Sequence, residues 1–183
     1  HSSTLGFKVL IVAVLSATFP EGEEFFVRSV RHYADRITDP VLQEQVKGFI
    51  GQEVTHGREH RALNDRLADM GYPTHRVDRT VARNLAQLEK RAAPLVRLAA
   101  TAAFEHFTAV LAELMLSDEQ MQTLLGTSEV REMLLWHALE ECEHKAVAFD
   151  VYRAVGGNEK LRIGVMRGVK FAFITRMSLY TLV

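Results

Sequence analysis

Two long helical segments of this chain put acids and imidazoles on the faces that have to be buried. Between 40 and 70, apolar residues fall at Val46, Phe49 or Ile50, Leu63 and Leu67, the three-and-four spacing of a core-facing stripe. Continued at that spacing, the stripe passes through Glu53, His56 and His60, which lie within about 60° of one another around the helix. Between 128 and 155, Val130, Met133 or Leu134, Ala148 and Val151 define a second stripe, and His137, Glu141 and His144 fall on it. Two further helices contribute one acid each. In 21–37 the stripe Phe26, Val30, Tyr33, Ile37 steps back three residues to Glu23, leaving Glu21 and Glu24 to the side. In 94–116 the stripe Leu98, Ala102, Ala109, Ala112 includes Glu105.

Burying an unpaired carboxylate costs several kcal/mol, and this core would hold four. Lysine and arginine are missing from these stripes near the glutamates. Two divalent metals would balance four carboxylates, whereas a buried salt-bridge network is the competing account. Di-iron and di-manganese bundles use one Glu from each of two helices and a Glu-x-x-His pair from each of two others. Here Glu23 and Glu105 are the single acids, and Glu53 with His56 and Glu141 with His144 are the pairs. His137, one turn before Glu141, is expected as a seventh ligand rather than a core histidine. Carboxylate and imidazole donors suit iron first, with manganese or zinc as alternatives. His60 is assigned the catalytic role, as a proton shuttle, with direct ligation or donation to a ligand carboxylate as the other readings. Glu113 is a reserve acid for Glu105. His32, His75, His106 and Cys142 lie off the stripes, and Trp136 and Tyr33 read as packing.

The whole chain reads as helix. Alternating runs and Asn-Gly or Asp-Gly hairpin turns are lacking. The expected segments are an apolar helix over 5–19, then 21–37, then 40–70 with Asp39 as cap and Pro40 first in the helix. A helix over 75–116 broken or kinked at Pro94, a short 119–125, a helix over 128–155 opened by Gly126-Thr-Ser128, and a last one from Glu159 complete the series. The fold expected is an all-α, ferritin-like four-helix bundle with additional N- and C-terminal helices, one di-metal domain over 1–183, cut short at one or both ends. With 22 Lys+Arg against 23 Asp+Glu the chain lacks the basic excess of a nucleic-acid binder. One cysteine, Cys142, excludes a disulfide framework and Cys-rich zinc or iron–sulfur sites. The apolar run 5–19 is short for a membrane span and is read as a buried helix. The stretch 161–183, with Arg162, Arg167, Lys170 and Arg176, is read as amphipathic.

Several segments resemble the bacterial family of predicted metal-dependent hydrolases. They are Phe19-Pro-Glu-Gly-Glu23-Glu-Phe-Phe26, Gln52-Glu53-Val-Thr-His56 with His60, Glu105-His106, and the run from Trp136 through His137, Glu141 and His144 to Tyr152. The resemblance spans about 20–155. The order Glu23, Glu53 with His56, Glu105, then His137, Glu141 and His144 is also similar to the ligand pattern of di-iron arylamine N-oxygenases. That second likeness covers ligands and their order only.

Three functions follow as expectations. The first is activation of O2 by two metals to oxidise or oxygenate an organic substrate, with Ala102, Ala109 and Ala112 leaving room beside Glu105. The second is hydrolysis by a metal-activated water, with His60 moving the proton. The third is metal storage or sensing without catalysis. The expected partners are a small organic molecule and O2, with no nucleic acid, and with a homodimer and weak membrane association left open. The expected location is the cytoplasm, with membrane contact through the terminal helices as the variant.

Overall fold

The computed structural model describes residues 2–125 and 128–181. The protein is an all-α helical bundle. Its helices are α1 (Ser2–Ser16), α2 (Phe19–Arg31), α3 (Pro40–Asp69), α4 (Thr74–Arg91), α5 (Pro94–Ser117), α6 (Glu119–Leu124), α7 (Ser128–His144), α8 (Val147–Ala154) and α9 (Glu159–Thr181). Helices α2, α3, α7 and α5 pack in a ring, each against the next and α5 back against α2. Helix α4 lies against α2 and α3, α9 against α5 and α1, and α1 against α3.

Local chemistry sets most boundaries. Asp39 caps α3 by accepting from the Val41 amide at 2.9 Å, with Pro40 following it in the first turn. Asp118 caps α6 through the Gln120 and Met121 amides. The segment expected over 75–116 is two helices. Pro94 forces the preceding residue out of the α region, and Ala92 and Ala93 are extended. The helix expected over 21–37 ends at Arg31. Tyr33 there adopts φ −110°, ψ −1°, a 3-10 turn covers Ala34–Arg36, and Ile37 is extended, yet Tyr33 and Ile37 remain buried. The helix expected over 128–155 loosens at Lys145 and Ala146. Ala146 keeps a right-handed backbone (φ −92°, ψ −18°), so the chain continues into α8 without reversing. The predicted opening Gly126-Thr127 lies outside the described residues.

Apolar residues form layers above and below the polar stripes. One layer joins Phe25, Phe26 and Val30 of α2, Val46 and Phe49 of α3, Leu98 of α5, and Val147 and Val151 of α8. A second joins Ala112 and Met115 of α5 to Leu134 and Ala138 of α7. Along α5, Glu105 falls between the two, and along α7–α8 so do Glu141 and His144. The acids and imidazoles therefore occupy a central slab. Tyr152, fully buried, closes the first layer by donating to the Asn158 carbonyl at 2.7 Å, and its ring would lie 2.2 Å from a Cβ on residue 157, so only Gly157 fits.

Helix α5 is long and apolar enough to cross a membrane by composition, yet it carries the buried Glu105 and packs against α2, α7, α8 and α9. On α9, Phe171, Ile174 and Leu179 are exposed.

Candidate metal centre

Seven side chains from four helices meet in the central slab. Glu23 comes from α2, Glu53 and His56 from α3, Glu105 from α5, and His137, Glu141 and His144 from α7. Each is at most 3% exposed. Three groups within this set bring one donor atom per residue within 4.8 Å of one another: Glu23, His56 and His137; Glu53, Glu105 and His144; and Glu53, His56 and Glu141. Each such group can hold a metal ion. Glu53 belongs to two groups, and Glu141 lies 3.0 Å from His137, 3.7 Å from His144 and 3.9 Å from His56. These two acids therefore lie close to members of more than one group. Gly57 makes the approach of α2 tolerable, since a Cβ there would sit 3.3 Å from Glu23 Oε2.

The donor atoms face inward without partners of their own. Both oxygens of Glu23, Glu53 and Glu105, Oε2 of Glu141, Nδ1 of His56 and Nε2 of His144 are buried with no hydrogen bond. His144 Nε2 lies 3.0 Å from Glu53 Oε1, but without hydrogen-bond alignment. Native interiors leave few buried polar atoms unpaired. A set converging on one point is the arrangement expected around ions, and the carboxylates' ion-pair partners among the described residues are histidines.

A shell of outer partners explains why the imidazoles point as they do. His56 Nε2 donates to Glu140 Oε2 at 2.8 Å, which leaves Nδ1 bare toward the centre. His144 Nδ1 donates to Gln52 Oε1 at 2.9 Å, leaving Nε2 bare. The Gln52 amide is fixed in that sense because its Nε2 donates to Glu143. The third chain is longer. Asn64 Nδ2 donates to the Ser16 carbonyl, so Asn64 Oδ1 takes the Ser16 hydroxyl proton at 2.7 Å. Ser16 Oγ then accepts from His60 Nδ1 at 2.8 Å, and His60 Nε2 accepts from His137 Nδ1 at 2.7 Å. His137 is left with Nε2 facing Glu141 and Glu23. Phe19 stacks on His60 with centroids 4.5 Å apart. Hydrogen bonding at the outer nitrogen fixes tautomer and aim in this way at metal-binding imidazoles generally.

The sequence profile of the family described as "Predicted metal-dependent hydrolase" matches residues 5–183. The chain belongs to that family. No curated protein and no solved structure matches it. The family description is that of a metal-dependent enzyme, and the buried Glu and His groups are compatible with binding the metal.

The stripe reading finds all seven clustered residues. It did not find Glu140, Gln52, Ser16 or Asn64, whose contacts depend on neighbouring helices. The one available signal was a polar residue directly before each of Glu53 and Glu141. His60, assigned a catalytic role from the sequence, is buried, lies outside the three metal-holding groups and contacts His137. Glu113 is not near the cluster: it is exposed and pairs with Lys145 at 2.7 Å. His32, His75 and His106 are exposed, and Cys142 packs in the second apolar layer.

Protonation shows the cost of the slab without ions. Burial, with the charges of Glu53 and Glu141, holds Glu23 well above the usual carboxylate range. Burial and the same neighbours do so for Glu105. Burial carries Glu53 up to about 7. Burial also acts to raise Glu141, but the close imidazoles of His137 and His144 hold it far below. Burial acts to lower His144, yet contacts with Glu141 and Glu53 carry it up to about 9. Burial and nearby imidazoles push His56 down to about 3 and His60 well below its ordinary value. Protons therefore occupy the slab of the metal-free protein.

A cavity of about 190 Å³ opens onto one side of the cluster. Its wall is Leu15 and Phe19 with Leu111, Ala112, Met115 and Ala138 among others, and it reaches His137 and Glu141.

Two predictions follow from these contacts. Replacing an outer partner (Glu140→Gln, Gln52→Leu or Ser16→Ala) should weaken metal affinity about 10–100-fold with helicity unchanged, while Glu113→Gln should not. Competitive chelator titration checks this. The second concerns pH. Raised folded-state values mean that the contributions of Glu23, Glu53 and Glu105 are present at low pH and are lost as pH rises, through about 7 for Glu53. His144 acts in the same sense, through about 9. The depressed His56 and His60 oppose this only below about 6.5, where unfolded histidines take up protons. Metal-free protein should thus lose stability from pH 6.5 to 9 by about 1.4 kcal/mol per unit or more. Metal-loaded protein should show a flat or opposite slope, because ions bind the deprotonated acids. Urea denaturation with and without chelator measures both.

Proposed function

We propose that Glu23, Glu53, His56, Glu105, His137, Glu141 and His144 hold two divalent metal ions. On this reading the protein uses them with O2 to oxidise or oxygenate a small organic molecule. The observation that carries the proposal is the convergence of unpartnered buried oxygens and nitrogens from all four helices of the ring. Four carboxylates at a formal −4 match two ions at +4, so the slab becomes neutral without protons. Oxygen donors outnumber nitrogen and no thiolate is near, which suits iron, then manganese, then zinc. Glu23, His56 and His137 form one half of the centre, Glu105 and His144 the other, and Glu53 and Glu141 span them. The ring then has the sense of a ferritin-like bundle, and the third histidine agrees with the ligand order of the di-iron N-oxygenases.

When bound, two redox-active ions supply electrons and an open position for O2. The chain's own part is to place and shield them. Glu140, Gln52 and His60 keep three imidazoles aimed inward. His60, held neutral by burial and hydrogen-bonded at both nitrogens, acts as a positioning residue for His137 rather than as a shuttle. The apolar layers exclude bulk water, which strengthens each electrostatic contact within.

Hydrolysis is the second reading, and the family description favours it. The cavity wall argues the other way. Its hydroxyls are committed, Ser16 to Asn64 and Thr108 to the Glu105 carbonyl. Among the described residues the wall therefore offers the oxyanion of a tetrahedral intermediate no free hydroxyl donor, and its stabilisation would fall to the metal ions alone.

Elemental analysis of protein purified from its native host, then anaerobic reduction and an O2 pulse, separates the readings. Two irons or manganese per chain and a visible-region spectrum after the pulse are expected. Glu141→Ala should lose metal and keep its helical signal. Bound zinc with ester turnover and no response to O2 would favour hydrolysis instead.

A further inference from the structure

The cavity beside His137 and Glu141 is lined almost wholly by hydrocarbon. Its wall is the second apolar layer, where Ala112 of α5 and Ala138 of α7 are both buried and small. Larger residues at those positions would have filled the space as Phe49, Leu98 and Val151 fill the first layer. The polar residues of the lining are Ser16, Thr108, His137 and Glu141, and Ser16 and Thr108 have spent their hydroxyl protons on Asn64 and the Glu105 carbonyl. Among the described residues the wall holds no lysine or arginine, so an anionic ligand would find no side-chain cation to pair with, and the charge of two metal ions is already balanced by the four carboxylates. A ligand with several polar groups would leave them unpaired for the same reason.

Size narrows the choice. An apolar cavity of about 150 Å³ stays dry and takes up benzene. The space here is about 190 Å³, which adds room for a short substituent.

We propose that this cavity is the substrate pocket and that it selects an uncharged, apolar molecule the size of one aromatic ring with a short side chain. Its reactive end abuts His137 and Glu141, and Ile11, Val12 and Leu15 of α1 form part of the wall around it. The assignment of this ligand as substrate rests on the di-metal reading, but its binding does not.

The test uses ethylbenzene, benzoate and naphthalene as probes, titrated calorimetrically into the protein as purified, with metal content measured on the same samples. Saturable ethylbenzene binding at least tenfold tighter than benzoate is expected. Ala138→Phe and Ala112→Leu should each weaken it tenfold or more without changing metal content. Met115→Ala, which enlarges the pocket, should raise naphthalene affinity relative to ethylbenzene, a gain that misfolding cannot imitate. The proposal is overturned by absent ethylbenzene binding, by filled variants that bind as before, by benzoate binding as tightly, or by a Met115→Ala protein indifferent to naphthalene. A sample without metal that still binds ethylbenzene supports the pocket and counts against the di-metal reading; a metal-loaded sample that does not bind overturns the pocket alone.

Discussion

Negative charge in a dry interior is the constraint around which this bundle is arranged. Glu23, Glu53, Glu105 and Glu141 are each within 3% of complete burial, and among the described residues their ion-pair partners are the imidazoles of His56, His137 and His144. Without ions, burial keeps Glu23, Glu53 and Glu105 protonated well beyond the usual carboxylate range, and imidazole contacts keep Glu141 charged. A fold selected only for stability would have apolar residues at these positions, since replacing buried ionic groups with hydrocarbon is often neutral or favourable. The cost is understandable if the slab exists to be filled by cations.

The rest of the molecule serves that slab in two ways. The apolar layers above and below it bury hydrocarbon and exclude water. Outer hydrogen bonds then direct the imidazoles, so that Glu140, Gln52 and the Asn64–Ser16–His60 chain each leave one nitrogen facing the slab. Helix α1 takes part in both, because Ser16 anchors the third chain while Ile11 and Leu15 wall the cavity.

The seven clustered residues were legible in the sequence because a helix fixes which side chains share a face whatever surrounds it. Glu53 and His56 are three apart, as are Glu141 and His144, and the apolar residues beside them show which way that face looks. The outer partners were not legible. Glu140 and Gln52 lie about 100° off their stripes and matter only because α3 and α7 are adjacent. Breaks marked by proline, at Pro94, were readable, whereas the loosening at Lys145 and Ala146 has no glycine or proline to announce it. The α2 terminus before Tyr33 is likewise unmarked. The cavity could not be foreseen, because a void is what five helices, α1, α2, α5, α6 and α7, fail to fill together. Ala112 was noted as a small residue, but Ala138 on α7 was needed to make the space.

Anomalous diffraction at the iron and manganese edges, from crystals of protein purified with its native metal, tests the central claim most directly. The account predicts two peaks about 3.5–4 Å apart, one among Glu23, His56 and His137 and one among Glu53, Glu105 and His144, with Glu53 and Glu141 between them. An intact slab whose acids close on protons and imidazoles alone, with no ion even when metal is abundant, would contradict it.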